Sequence, residues 1–427
     1  MKRFRKTAAF LAGWLGVVLL GSLVLHIQWF GTGDFSWREA MAYHAVLVPC
    51  WMLLLFGYVR WSRLRISWKR TVRVCSILGS ILVAAGAAMI KKEGFSVGTL
   101  LLVPGLLCAE LTALIILFTA FVARFRKQLS EVSALGWWTV TIGLVGMSLA
   151  TTWGHYVGLA KDFSAFAVEL AQRVKEMGLT PEKIDAFLGS HSHEMVASFL
   201  AAAFAIPFLR KEWHQARWTD KVARLGLWIL LATTLGEILL YQYCGWKVWE
   251  PPTLFAQGPR GIPLDDFLLI LQTCGFLLLI PRWLSKWSTD GKEVFVDIRH
   301  LLLIIAVIAY AFIVVIKGIE IETHSFFYNT KIGQESVEKY VRGHLLFGFL
   351  LLPIVLATLA NLPPIRLQPL GSLLLGIGLV ALAFAAWGVL VHSESSTHIA
   401  FVLTAFFCFG ASGTLLEFPK KTTKNSG

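Results

Sequence analysis

Charge is scarce in this chain of 427 residues: Asp, Glu, Lys and Arg make up 15% of it, against 56% hydrophobic residues. With a mean hydropathy of +0.66, the composition lies far from a soluble globular mixture. Acid is scarcer than base, 26 against 39, which leaves a net charge of +13. So basic a chain raises nucleic-acid binding, but its Lys and Arg are split among short segments, so no nucleic-acid partner is expected. Six cysteines are widely spaced and form neither C-x-x-C nor C-x-x-C-H. That absence argues against a disulfide framework, a zinc ribbon, an iron–sulfur site and a covalently attached c-type haem. No polar stretch is long enough for a water-soluble domain, and alternating ten-residue segments of a β-barrel are missing too.

What fills the chain instead is a series of long apolar runs. A spanning helix needs about 20 mostly apolar residues. Twelve candidates lie near 8–30, 41–59, 74–90, 97–123, 134–160, 193–209, 225–243, 264–281, 300–316, 345–360, 369–391 and 398–416. Their uninterrupted character predicts an all-α polytopic membrane protein, residues 1–427 forming a single transmembrane domain. The first run follows Lys2, Arg3, Arg5 and Lys6, is too long for a signal-peptide core and lacks a small-residue cleavage site, so it reads as an anchored helix.

Charge predicts the orientation. With the N-terminus inside, 26 of the 39 Lys and Arg fall in cytoplasmic segments, most densely at Arg60–Arg73 and Arg210–Arg224. This is the positive-inside pattern. Twelve spans then leave both termini cytoplasmic in an inner membrane, and the lipid bilayer is the first expected partner. Three outer loops are long enough to cap that face: 161–192, 245–263 and 317–343. In the first, Phe163, Phe166, Leu170, Val174 and Met177 recur at helical spacing, and Thr180-Pro181-Glu182 is a start signal for a second short helix. The second is rich in Pro, Gly and Trp and reads as an ordered irregular cap.

Nine of the eleven histidines fall at or near the outer ends of these runs: His26, His44, His155, His191, His193, His324, His344, His392 and His398. Lipid-facing helix ends have no structural need for imidazole, whereas neutral imidazole is the commonest metal ligand among side chains. A lone histidine at a helix end is more often an interfacial group than a ligand. Single histidines on several neighbouring helices at one depth can nevertheless supply the two imidazoles of a haem or the converging set of a copper site. His155, His191, His193, His392 and His398 are metal-ligand candidates on this ground. His191 and His193 are two apart and cannot share a helical face. One is therefore expected in the preceding turn, with His193 on the helix as the stronger candidate and Glu194 orienting a neighbouring imidazole. Arg342 is placed to pair with a haem propionate, or to serve simply as an interface anchor.

Two carboxylates lie inside runs, Glu110 and Glu237. An acid at membrane depth is expensive and marks function by default; both are candidates for a proton path, or for protonated structural residues. Asp265-Asp266 open the eighth run, where proton or cation entry and helix capping are equal accounts.

Twelve spans with histidines near the outer ends of the second, sixth and tenth resemble the large subunit of haem–copper oxidases, the nitric oxide reductases foremost. Gly343-His344-Leu345-Leu346-Phe347-Gly348 is similar to a Gly-His-Leu stretch on the tenth helix of those reductases, and Tyr43-His44 to the opening of their second. The resemblance implies a haem–copper-oxidase-like bundle, with His44 and His344 ligating a b-type haem and His191 or His193 serving a second metal. His191-Ser192-His193-Glu194-Met195 is also similar to the His-x-His-Glu-Met of the NnrS family, which carries haem and copper. The chain departs from the oxidases in lacking a histidine pair on the seventh run and in carrying His344 alone on the tenth.

The expectation is thus a membrane redox protein with haem b, and copper or another transition metal beside it. It would take electrons from a periplasmic donor or quinol, alone or with other membrane subunits, and carry them onward or reduce a gas such as NO or O2. The competing expectation is a secondary transporter using Glu110 and Glu237, with Pro104-Gly105 marking a broken helix. An accessory subunit whose histidines merely cap helices is the third.

Overall fold

The computed structural model describes residues 35–62, 68–90, 96–125, 133–161, 181–209, 218–247, 253–254, 262–285, 353–356, 358–359, 366–390 and 396–417. Among them the chain is helical almost throughout. The helices are α1 (Phe35–Ser62), α2 (Lys69–Met89), α3 (Val97–Phe125), α4 (Ala134–Lys161), α5 (Pro181–Ala205), α6 (Trp218–Lys247), α7 (Leu264–Leu277), α8 (Ile280–Ser285), α9 (Pro369–Leu390) and α10 (Ser396–Thr414). A two-residue antiparallel ladder, β1 (Thr253–Leu254) with β2 (Ile262–Pro263), joins α6 to α7. A second, β3 (Arg366–Leu367) with β4 (Leu416–Glu417), ties the start of α9 to the end of α10.

Four of the helices are long and apolar enough to cross a membrane: Arg70–Met89, Val97–Phe125, Ala134–Thr151 and Trp218–Tyr243. Shorter apolar helices occupy the runs around His44, His193, Phe267, Pro369 and Ala400. The runs at 8–30 and 300–316 lie outside the described residues, and of 345–360 only 353–356 and 358–359 are described, as helix.

The way α3 distributes its side chains explains why such helices suit lipid. Leu100, Leu107, Leu111, Leu114 and Phe118 are exposed and share one stripe, while Gly105, Ala109, Ala113, Ala120 and Ala123 are buried on the other. Large apolar groups outside and small ones inside are the reverse of a water-soluble helix. Without a hydrophobic force between helices, close backbone approach does the packing. Gly86 of α2 is an example, since a Cβ there would collide with the backbone of Leu102 on α3.

Contacts run mainly between neighbours in sequence: α1 on α2, α2 on α3, α4 on α5, α5 on α6, α6 on α7, and α9 on α10. Two further pairings, α1 on α3 and α4 on α6, close the first helices into a bundle. Gly143 and Gly146 let α4 approach α5 closely: a Cβ at Gly143 would stand 2.6 Å from the Ser198 carbonyl oxygen, and one at Gly146 would strike the Ser198 hydroxyl.

Two sequence expectations change here. Pro104-Gly105 does not break its helix, because α3 is continuous from Val97 to Phe125 around Pro104. The missing N–H removes one internal hydrogen bond, which a long packed helix tolerates. The start signal at Thr180-Pro181 opens a helix as expected, but not a separate interfacial one: α5 runs unbroken from Pro181 to Ala205. Residues 181–192 are therefore the first turns of α5, and 162–180 and 317–343 lie outside the described residues.

Candidate functional site

Four helices each contribute one stripe to a shared cleft. Helix α1 supplies His44 and the turns after it, α3 supplies Glu110, α4 supplies Met147 and Thr151, and α5 supplies His191 and Met195. Residues i and i+4 lie above one another on a helix, which is why His191 and Met195 reach the cleft together. About 30 Å³ of free space lies among these side chains, enough for roughly two or three water-sized groups. It is room for an ion and a small ligand.

The two imidazoles are the centre of the cleft. His191 is 6% exposed and His44 is half-buried. Their ring centroids are 5.7 Å apart with 23° between the planes. Nδ1 of His191 lies 2.6 Å from the carbonyl oxygen of Ala150 on α4. A carbonyl can only accept, so Nδ1 must carry the hydrogen. The neutral ring then has its lone pair on Nε2. A hydrogen bond from one ring nitrogen to a backbone carbonyl is the usual device for fixing which nitrogen is available to a metal.

Distance permits a shared ligand. Metal–imidazole bonds run about 2.0–2.1 Å, so two rings on one metal have centroids roughly 5–6 Å apart. The observed separation falls inside that window. Among the described residues, however, no group of three or more His, Cys, Asp and Glu stands together as a metal cage. A metal here would draw on the two imidazoles and on softer or exogenous donors, for which Met147 and Met195 stand at the cleft wall.

His193 has a different setting. Both histidines of the His-x-His phrase lie on α5, so neither is in a preceding turn, and His193 is exposed, against Tyr241 of α6 at 5.4 Å between ring centroids. His191, the one expected to be weaker, is the one that enters the cleft. Glu194 is fully buried, and Gln242 Nε2 donates to its two oxygens at 3.0 and 3.3 Å; it braces against α6 and does not orient His191. Glu237 is 2% exposed on α6, away from the cleft that Glu110 lines.

His155 lies one turn beyond Thr151 on α4, and His398 in the first turn of α10, their side chains outside the description. His344, Arg342 and His392 lie outside the described residues, so the His44–His344 pairing is not represented. Met147, Met195, Gln242, Tyr241 and Gln272 escaped sequence reading. The two glutamines had a readable signal, amides inside or at the end of apolar runs; the methionines had none, because they look like any core residue.

No protein-family model matches the chain, and no curated protein or solved structure matches it either.

Proposed function

We propose that this chain is a redox protein of the inner membrane, with about twelve spans and both termini cytoplasmic, whose cleft between α1, α3, α4 and α5 holds a transition metal. The observation that carries the reading is the His44–His191 pair, with His191 turned so that Nε2 faces away from its carbonyl anchor. Two imidazoles with two thioethers at the wall suit copper, whose reduced state favours soft donors. The small free volume favours an ion over a macrocycle at this position. A b-type haem remains our expectation for a second centre, with His344 as ligand and Arg342 on a propionate. His44 faces His191 in the cleft, so it serves one centre and is not free to serve both.

Copper or haem iron, when bound, supplies one-electron chemistry; the protein supplies binding, orientation and a dry surround. His191 holds its ring fixed through Ala150, Trp51 and Val48 exclude water from α1, and Glu110 offers a carboxyl at the cleft wall for a proton that accompanies the electron. Electrons would arrive from a periplasmic donor or quinol, and leave to a partner subunit or to a gas such as NO or O2. An oxidoreductase of that kind is the enzyme class we infer.

Transport remains the second reading, and one observation favours it: Glu194 and Glu237 are buried between α5, α6 and α7. The unbroken α3 counts against it, since discontinuous helices are the usual transporter device, while the break at 278–279 between α7 and α8 counts for it.

Redox spectra separate the readings. Purified full-length protein, from cells supplied with copper and haem, should give a dithionite-reduced minus oxidised difference together with bound copper. Clean protein with neither copper nor a Soret band would overturn the redox reading and leave transport.

A further inference from the structure

A second polar seam runs between α5, α6 and α7, and it does not touch the imidazole cleft. It has regular steps. At one end Tyr241 donates its hydroxyl to Oδ2 of Asp265, the second residue of α7, at 3.0 Å. Seven residues back along α6, Thr234 meets Gln272, seven residues forward along α7, at 3.3 Å. The two helices are therefore antiparallel in register, and the steps are about 10 Å apart along the axis. Glu237 lies between them, one turn from Tyr241, and is 2% exposed. On the α5 side His193 packs on Tyr241, and Glu194, fully buried, is bridged to Gln242.

Two features go beyond helix–helix glue. Glu194 is a fully buried acid whose hydrogen-bond partner is a neutral amide. A bare charge with so little compensation is strongly disfavoured at that depth. Gln272, also fully buried, gives its amide hydrogens to the Ala197 carbonyl and to Thr234, while its Oε1 has no hydrogen-bond partner among the described residues. That oxygen is a buried acceptor on the helix face that meets Thr234, and a mobile proton carried on a hydroxyl, a carboxyl or a water is the donor it fits.

We propose that the α5–α6–α7 seam is a proton path, entered at Asp265 and Tyr241 and ending on the buried carboxyls Glu237 and Glu194. The transfer is balanced at each group. The half-buried Asp265 takes a proton from a water that reaches its carboxyl, the Tyr241 hydroxyl receives one proton as it releases its own, and a carboxylate at the end becomes a neutral acid; return runs the same steps backwards. No oxidant or metal is required, so the path stands whether or not the cleft binds copper.

Infrared spectroscopy of the full-length protein in lipid nanodiscs tests this directly, by following the carboxylic-acid C=O band after transfer to D2O. The wild type should show an acid band that shifts rapidly, reduced in Glu194→Gln or Glu237→Gln. In Asp265→Asn and Tyr241→Phe the band should remain but exchange about a hundredfold more slowly, the scale of one lost proton-transfer group. The last two variants change the entry end of the seam and keep Glu194 and Glu237, which separates a blocked path from a misfolded protein; unchanged thermal unfolding checks the fold. An acid band unaffected by both glutamine variants would overturn the proposal. Exchange equally fast in Asp265→Asn, Tyr241→Phe and wild type would overturn it as well.

Discussion

At the scale of single residues, the account rests on which way one imidazole turns. His191 and His193 are 200° apart on an ideal helix of about 3.6 residues per turn, so one must face α1 and α4 while the other faces α6. The sequence shows the pair but not the rotation of α5 about its axis. That rotation is set by Gly143 and Gly146, whose missing side chains admit α5 at Ser198 and Ala202. It is a contact across helices, and no local pattern announces it. The same holds for Met195, whose role as a wall of the cleft follows from being one turn beyond His191. Met195→Leu conserves volume and should cost less than about 1.5 kcal/mol in stability. If the thioether contacts a bound copper, this variant should lower the midpoint potential, because the oxidised ion loses less than the reduced one when a soft donor goes. A redox titration with unchanged midpoint would remove Met195 from the metal's surroundings.

Elements carry the next layer of the argument, and their termini are where the sequence was most informative. Pro181 does open α5, since a proline at the first helical position loses nothing. What local signals did not reveal was that this turn continues into the span, because Gly189-Ser190 reads as a helix stop and the helix runs through it. Pairing between elements was less legible still. Arg282 of α8 and Asp220 of α6 meet at 2.8 Å, with Asp220 fully buried and Arg282 13% exposed. No local sequence pattern links them. Removing one partner of a buried pair leaves a desolvated charge, and Asp220→Ala should destabilise the protein by about 3–5 kcal/mol. Thermal unfolding in detergent would read this as a lowered midpoint. Asp220→Asn combined with Arg282→Met should recover much of the loss, whereas equal destabilisation by both variants would assign the effect to packing.

For the whole molecule, the apolar runs were the most legible feature, since every described run falls on a helix. The outward stripe of Leu107, Leu111, Leu114 and Phe118 on α3 has no reason to exist except against lipid or another apolar surface. The proposed sidedness rests on the charges at Arg60–Arg73 and Arg210–Arg224. It predicts that a fluorescent protein fused after Gly427 glows, and that alkaline phosphatase fused there is inactive but becomes active when joined at 255, between α6 and α7. The opposite pattern would invert the topology and move the imidazole cleft to the cytoplasmic half. Which helices meet across the bundle was the part least readable, because lipid-facing and helix-facing sides are equally apolar. His44 with His191, 147 positions apart in the chain, is the pairing that most needed a structure.

The central claim is that these two imidazoles share a metal, and X-ray absorption at the copper edge tests it most directly. On copper-loaded full-length protein we expect about one copper per chain with two imidazole nitrogens near 2.0 Å, lost in His44→Ala and in His191→Ala but retained in His193→Ala. Copper binding that persists in both cleft variants and disappears with His193→Ala, or a wild-type protein that takes up no metal, would contradict the account.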